Sequence, residues 1–574
     1  MFASLYSHDS LIREPQCRIL GNLIRRKAEL LPDKRILTFT DCGENDVEVT
    51  YGLLEQESNQ LAAAMLDCGI GPGKTIVVLL DNVPEMMYLL IACSKIGAIF
   101  APLDRKSLSV PEKLAFVVES TQCKAIYVAE DDLFSTLDLY RKHLSHLKVL
   151  KTIFSRRCGS VHQESAPVIV DIDAWGEKAL PTVDLCGRDE KHHLVIFYTS
   201  GTTGIPKGIL WTNDNYTSFG RFPGLLGYAP EETDYRIYTG LPLCHSNAHG
   251  ITIMNAIWKG FEAVINRRWT LSRLWPLMRK YNIRSFCTIG NMALEIYRHS
   301  LEQEYVPNPV THVVDGGLPG YLWEKFSRKF GVEILEAYSQ VDGGATCINP
   351  PSRGAHRQRV GSIGKPVIGW EMQILDGEDR PCGPASFDRE GRAVNIESSL
   401  GEIVSRRAKG TAPPVTYLND EEGSRLKTRG GWHRSGDFGY KDEDGFYYIC
   451  HREGENIRRA GKYFDNFDVD LIQKVILEQD DVFLAHTFPV GSMEGVSVEN
   501  EIVVALVSKQ DGTVDIGRLV AACQEKLPSP LYYPSFFMII DIIPMTITGK
   551  PRNNELRKLF QQSSAQIIPF SASI

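Results

Sequence analysis

The stretch Tyr198-Thr-Ser-Gly-Thr-Thr-Gly-Ile-Pro-Lys-Gly208 decides how the rest of the chain is read. It follows the apolar run HHLVIFY, whose composition predicts a buried strand. Gly201, Gly204 and Gly208 let backbone N–H groups approach phosphate oxygens, and the hydroxyls of Thr199, Ser200, Thr202 and Thr203 add donors. Lys207 brings a mobile positive charge suited to β- and γ-phosphates. A Walker A loop is a different object, because it needs Gly-Lys-Ser/Thr after four intervening residues, whereas Lys207 precedes Gly208. The bland alternative is a flexible Gly/Ser turn, and both the preceding strand and the closing lysine argue against it.

Working outward, residues 50–68 read as a helix with apolar positions at helical spacing. TIVVLL (75–80) reads as a buried strand, PEMMYLLIACSKIG (84–97) as a helix and AIFAPLD as another strand. The same alternation returns at 124–131, 284–290 and 332–339, which predicts βαβ units and a parallel sheet. The region 392–450 changes texture: it is rich in Gly, Asp and aromatics, and DEDGFYYICHR (442–452) reads as short antiparallel strands around a DG turn. After Arg452 comes the charged, Gly-punctuated EGENIRRAGK, and alternation resumes with VILEQ (475–479), EIVVALVSK (501–509), a helix at 515–526 and FFMIIDIIP (536–544). The expected fold class is α/β. A large N-terminal α/β body (1–452) with a short β-rich subdomain is followed by a small mobile C-terminal α+β domain (453–574).

Bulk properties narrow the function. A chain of 574 residues is longer than one hydrophobic core usually serves. A net charge of −8 argues against a polyanion-binding surface, so no nucleic-acid partner is expected. Thirteen cysteines, with no CxxC pair and no metal-ligand spacing, read as free thiols of a cytoplasmic protein. The start MFASLYSHDSLIREPQ lacks a secretory pattern, no apolar stretch reaches the length of a membrane span, and the ending SASI is not an SKL-type address.

The phosphate-type loop resembles that of the adenylate-forming (acyl-CoA synthetase, AMP-binding) superfamily, and further segments follow in that superfamily's order over nearly the whole chain. Asp315-Gly-Gly-Leu-Pro319 is similar to its adenine-facing glycine loop, which assigns Gly316 and Gly317 to nucleotide binding. Glu336-Ala-Tyr-Ser-Gln-Val-Asp342 resembles Tyr-Gly-x-Thr-Glu. The resemblance implies that Tyr338 stacks on adenine, that Ser339 takes a glycine's place beside it, and that Asp342 helps hold Mg²⁺ as a hard oxygen ligand. Val341 departs from the pattern, since valine lacks the hydroxyl that a threonine would offer the α-phosphate. Trp432-His-Arg-Ser-Gly-Asp437 resembles Tyr-Arg-Thr-Gly-Asp, which gives Asp437 the ribose diol, with Arg452 beside it. Gly454 falls where the family has its hinge, and Gly461 on the path of the CoA arm. Pro544-Met-Thr-Ile-Thr-Gly-Lys550 resembles the C-terminal motif whose lysine, here Lys550, reaches the substrate carboxylate and the α-phosphate. Leu241-Pro-Leu-Cys-His-Ser-Asn-Ala248 is similar to the segment beside the acyl pocket, where His245 gates or orients the acid. A structural histidine at a helix start is an almost equal reading of His245.

The resemblance implies ATP, Mg²⁺ and coenzyme A as cofactors and co-substrates, and a small carboxylic acid as substrate. The asparagine-to-glycine stretch 456–461 and the Tyr533-Pro-Ser-Phe-Phe537 run look closest to carnitine/crotonobetaine-CoA ligase-like enzymes. Two other acceptors stay open, an amine or a carrier-protein thiol. A reading of another class, a regulatory ATP-binding protein with weakened turnover, draws on Ser339 and Val341. A homodimer is left open.

Overall fold

A computed structural model of the chain describes residues 11, 14–41, 45–147, 149–156, 167–175, 189–199, 207–221, 234–301, 306–351, 358–389, 393–460, 462–491, 500–509, 513–546, 549–562 and 565–570. Two compact units divide them. One comprises 1–287 with 415–424, and the other 288–414 with 425–574.

The first unit is built on a seven-stranded sheet. Its order is Val168–Asp171, Thr152–Ser155, Ala125–Val128, Thr75–Leu79, Ile99–Leu103, His193–Thr199 and Lys207–Thr212. All neighbours are parallel except the last pair, which is antiparallel. Parallel strands must be covered on both faces, and the helix Pro84–Ile96 shows the consequence, since every residue in it except Glu85 is buried. Proline at its first turn needs no N–H partner, and Gly97 ends it with φ +70. Its one buried cation, Lys95, is held by Glu55 Oε2 at 2.7 Å, Asn59 Oδ1 at 2.7 Å and Ser58 Oγ at 2.8 Å, all on the helix Tyr51–Asp67. Burial nevertheless pulls the lysine down to about 8, with Glu55 opposing.

The second unit starts from the parallel pair His312–Gly316 and Glu333–Gln340, extended antiparallel by Gly343–Asn349 and Lys365–Pro366. A four-stranded antiparallel sheet follows, Trp370–Leu375, Gly401–Arg407, His433–Lys441 and Tyr447–Arg452. The expected DG turn lies between its last two strands, where Gly445 takes φ +79 and Asp442 Oδ1 accepts the Phe446 N–H at 2.8 Å. The C-terminal stretch forms a mixed sheet of Val482–Gly491, Asn500–Ser508, Phe536–Ile539 and Gln566–Pro569, with the helices Asn466–Leu477, Ile516–Lys526 and Asn553–Gln561. This is the α+β composition expected after residue 453.

VILEQ resumes no strand. Val475, Ile476 and Leu477 close the helix Asn466–Leu477. The helix starts at a capping box: Asp465 Oδ1 accepts the Asp468 N–H at 3.0 Å, and Asp468 Oδ2 accepts the Asp465 N–H at 3.2 Å. Ile472, Val475 and Ile476 then fall on one helical face and are buried, a spacing that a short apolar run read alone does not reveal.

The antiparallel sheet sets the register that matters for the site, because it pairs Asp437 with Arg452 directly across two strands. The register shifts between Phe438 and Gly439, and a Cβ at Gly439 would lie 1.9 Å from the Tyr448 carbonyl oxygen. Gly439→Ala is therefore expected to destabilise this unit by about 3 kcal/mol or more, lowering its thermal transition by roughly 5 °C or more. A thermal melt of the purified variant checks this, and an unchanged transition would contradict the close approach.

Candidate active site

The second unit gathers most of the candidate residues. The alternation of the strand Glu333–Gln340 puts Glu336, Tyr338 and Gln340 on one face and leaves Ser339 exposed on the other. Tyr338 Oη donates to Asp437 Oδ2 at 2.6 Å, and Gln340 Nε2 donates to the same oxygen at 2.7 Å and to the Ser435 carbonyl at 3.0 Å. Arg452 Nε donates to Asp437 Oδ1 at 2.9 Å. Asp437 is thus a buried carboxylate with three donors on its roughly four lone-pair positions, leaving about one for a further hydroxyl. The Asp437 charge raises the Arg452 pKa further, and burial, then the same charge, raises that of Tyr338.

A second carboxyl cluster lies beside it. The register pairs Asp315 with Glu336 on adjacent parallel strands, and both side chains are buried. Thr288 Oγ1 donates to Asp315 Oδ2, and the Gly317 N–H donates to Glu336 Oε1 at 2.7 Å. Gly317 turns with φ +108, a conformation that favours glycine and aims its N–H back at the carboxylate. The remaining oxygens, Asp315 Oδ1 and Glu336 Oε2, are buried without a donor. Two buried carboxyls at paired positions of neighbouring strands resist carrying two charges. Burial pushes Asp315 up to about 7, and burial plus the Asp315 charge raises Glu336 well above the carboxylate range.

Lys550 faces both clusters. It sits in a tight turn where Thr546 N–H donates to its carbonyl at 2.7 Å and its own N–H donates to Thr546 Oγ1 at 3.0 Å, with Gly549 at φ +75. The side chain keeps solvent exposure while protein atoms crowd it. That crowding lowers its pKa, Arg452 adds to the effect, and Asp437, Glu336 and Asp315 oppose it.

Asp342 lies with Val341 in the two-residue link between the strands Glu333–Gln340 and Gly343–Asn349. Lys427 Nζ stands 3.0 Å from its Oδ2 and His433 Nε2 3.4 Å from its Oδ1. Among the described residues no three His, Cys, Asp or Glu side chains converge on one point. One carboxylate fits Mg²⁺ all the same, since that ion keeps waters and phosphate oxygens as its other ligands, and the ion would replace Lys427 as the counter-charge. Gly454 has φ +77 and open space around its Cα, so the turn after Arg452 is built for glycine.

In the first unit, Thr199 and Lys207 are register partners at the ends of their two strands. Ser200, Gly201, Thr202, Thr203 and Gly204 lie outside the described residues, as does Gly461 in the other unit. Lys207 is half exposed, 3.3 Å from Asp420 Oδ2 and 5.2 Å from the Tyr417 ring centre. The segment carrying both partners is added along the strand Lys207–Thr212: Leu210 N–H donates to Thr416 O at 2.9 Å, and Leu418 N–H donates to Gly208 O at 2.8 Å. His245 precedes a helical stretch, and its Nδ1 accepts the Asn247 N–H at 3.4 Å, the geometry of a helix start. The deeply buried histidine is His249, between Tyr216 Oη and Leu243 O at 2.6 Å each. The carbonyl requires a donor, so Nε2 carries the proton and Nδ1 accepts from Tyr216, and burial lowers the ring to about 4.

Gln340, the Asp315–Glu336 pair, Lys427 and Asp420 escape a motif reading. Gln340 occupies the variable position of its motif, and the others act through register or through chain far away in sequence.

On this multi-sheet α/β frame the match of the chain to known proteins gives the class, an adenylate-forming enzyme. The chain belongs to the AMP-binding enzyme family, whose pattern matches residues 24–408. It is 26% identical to an oxalate–CoA ligase of Arabidopsis thaliana over 545 residues, covering 92% of this chain and 96% of that one. It is 24% identical to a crotonobetaine/carnitine–CoA ligase of Salmonella paratyphi A, covering 91% and 96%. Its fold matches a crystal structure of the anthranilate–CoA ligase AuaEII in complex with anthranoyl-AMP, with a TM-score of 0.78, 18% identity and coverage of 95% and 97%.

The raised pKa of Asp315 has a stability consequence. A carboxyl whose folded pKa is raised contributes fully below its ordinary value near 3.8, and that contribution is lost as pH rises to about 7. Asp315→Asn keeps an acceptor for Thr288 and removes the titrating carboxyl. The melting temperature of the variant relative to the parent should therefore rise by a few degrees between pH 5 and pH 8, on the order of 1–2 kcal/mol. A difference flat with pH would contradict the raised pKa of Asp315.

Proposed function

We propose that the chain activates a small carboxylic acid with ATP and passes the acyl group to coenzyme A. The observation that carries this is Lys550 held over Asp437, Arg452 and the Asp315–Glu336 pair in one unit. Family membership supplies the nucleotide. In the first step a carboxylate oxygen attacks the α-phosphorus, the bond to the β-phosphate oxygen breaks, and pyrophosphate leaves. In the second, a thiolate attacks the acyl carbon and AMP departs with the electron pair of the broken C–O bond. An acid oxygen is a poor leaving group by itself, and joining it to AMP makes it a good one.

This chemistry needs positioning and charge more than covalent help from protein groups. Lys550 is suited to the acid oxygen and the α-phosphate, and Lys207 to the leaving pyrophosphate. Asp437, oriented by Tyr338, Gln340 and Arg452, offers its remaining acceptor site to the ribose. Gly316 and Gly317 offer backbone to the adenine ring. Asp342 would hold Mg²⁺, which supplies charge neutralisation on the phosphates. His245 is assigned to orienting the acid. Ser200–Gly204 would cradle phosphate and Gly461 would border the CoA arm.

We assign residues 453–574 to a mobile domain that pivots at Gly454, whose positive φ suits a hinge. A cytoplasmic location is supported by the described cysteines, which include no disulfide. No helix among the described residues is long and apolar enough to cross a membrane.

Lys550→Ala tests the assignment. Acid-dependent exchange of pyrophosphate into ATP should fall about a thousandfold, as expected for loss of a charge contact on the reacting phosphate. Thioester formation from supplied acyl-adenylate and CoA should stay within a few fold of the parent. Equal loss of both would count against the assignment.

A further inference from the structure

Asp342, the carboxylate assigned above to Mg²⁺, does not stand open. Lys427 Nζ lies 3.0 Å from its Oδ2 and His433 Nε2 lies 3.4 Å from its Oδ1, so each oxygen faces a nitrogen. The side chains of Lys427 and Asp342 are 16% and 13% exposed, so water screens their attraction little. The ammonium also donates to the Ser435 carbonyl at 3.3 Å, an oxygen that takes the Gln340 amide at 3.0 Å as well. Lys427 thus bridges the Asp342 carboxylate and the backbone of the strand that carries Asp437.

The surroundings hold the carboxylate in this place. His433 is buried, and Gly344 packs against its far side: a Cβ on Gly344 would stand 2.6 Å from His433 Nδ1. The next residue, Ala345, donates its N–H to Ser405 Oγ at 2.9 Å, which fixes the start of that strand. With the ring against Oδ1, Oδ2 is left to the lysine. Lys427 closes the helix Glu421–Lys427 and carries its charge on a flexible four-carbon stem, so of the three groups it is the one able to withdraw.

A divalent cation that takes Asp342 as a ligand meets a positive charge already in place. Like charges a few ångströms apart repel strongly where water is scarce, so the ion binds against the ammonium or displaces it. We infer that Lys427 is a built-in rival of Mg²⁺ for Asp342, and that it sets how much the metal adds to nucleotide affinity. The inference rests on the function proposed above. Its consequence is specific: the acidic ligand is neutralised before any metal arrives. ATP without metal then meets no bare carboxylate, and the metal improves binding less than it would at an open aspartate.

ATP affinity of the full chain is measured by calorimetry without any acid, once with excess Mg²⁺ and once with EDTA. The ratio of the two dissociation constants is the gain that the metal brings. Lys427→Met keeps the stem and removes the charge, and should raise that ratio about tenfold or more over the parent. Lys427→Gln can still donate to Asp342, which guards against a variant that fails to fold, and should raise the ratio as well. Lys427→Arg keeps the charge and should leave the ratio within about twofold. Adding Asp342→Asn to Lys427→Met should remove the gain. A ratio unchanged or lowered in both neutral variants overturns the inference, as does a gain that survives Asp342→Asn, and either result leaves the proposed function standing. A parent that binds no ATP in either condition overturns the proposed function, and the inference falls with it.

Discussion

The site depends on keeping carboxylates out of water next to a lysine. Asp437, Glu336 and Asp315 are all buried, and each takes hydrogen bonds from protein donors. A buried carboxylate costs several kcal/mol unless its lone pairs are filled. The sheet register meets that demand at Asp437 by placing Arg452 opposite it, whereas it sets Glu336 opposite Asp315, two carboxyls whose burial raises both pKa values. What remains is a field that attracts a cation, and Lys550 is the cation that the fold delivers. Crowding by protein atoms and then Arg452 lower its pKa against the pull of the three carboxyls, and an anion beside it would favour the ammonium form. A phosphate or carboxylate in that place would meet it.

The same site combines groups set on paired strands with one set on a turn. Tyr338, Gln340 and Asp437 stand on paired strands whose alternation fixes their direction. Lys550 stands on a turn, and that turn is positioned by contacts outside its own sequence, at Gly290 and Asn291.

Much of this was legible in the sequence. The helix at 50–68, the buried helix at 84–97 and the strands between them follow from apolar spacing, and the structure has them as Tyr51–Asp67, Pro84–Ile96, Thr75–Leu79 and Ile99–Leu103. Family membership was legible because its motifs are short, ordered and rich in Gly and charged residues. VILEQ was misread because a short apolar run fits a strand or a helix end equally, and the capping box upstream of it decided the matter. Partners that meet only through folding were out of reach. The Asp315–Glu336 pair depends on a parallel register, and the Lys207–Asp420 contact spans more than two hundred residues. Lys427 beside Asp342 shows no periodicity or spacing that a sequence could expose.

The most direct test of the central claim is pyrophosphate release across a panel of small carboxylic acids, each with and without CoA, with products weighed by mass spectrometry. The account predicts release that requires a particular acid, and acyl-CoA as the product when CoA is present. Bound ATP with no release for any acid would contradict it and would favour a nucleotide-binding protein whose residues at 339–342 no longer support turnover.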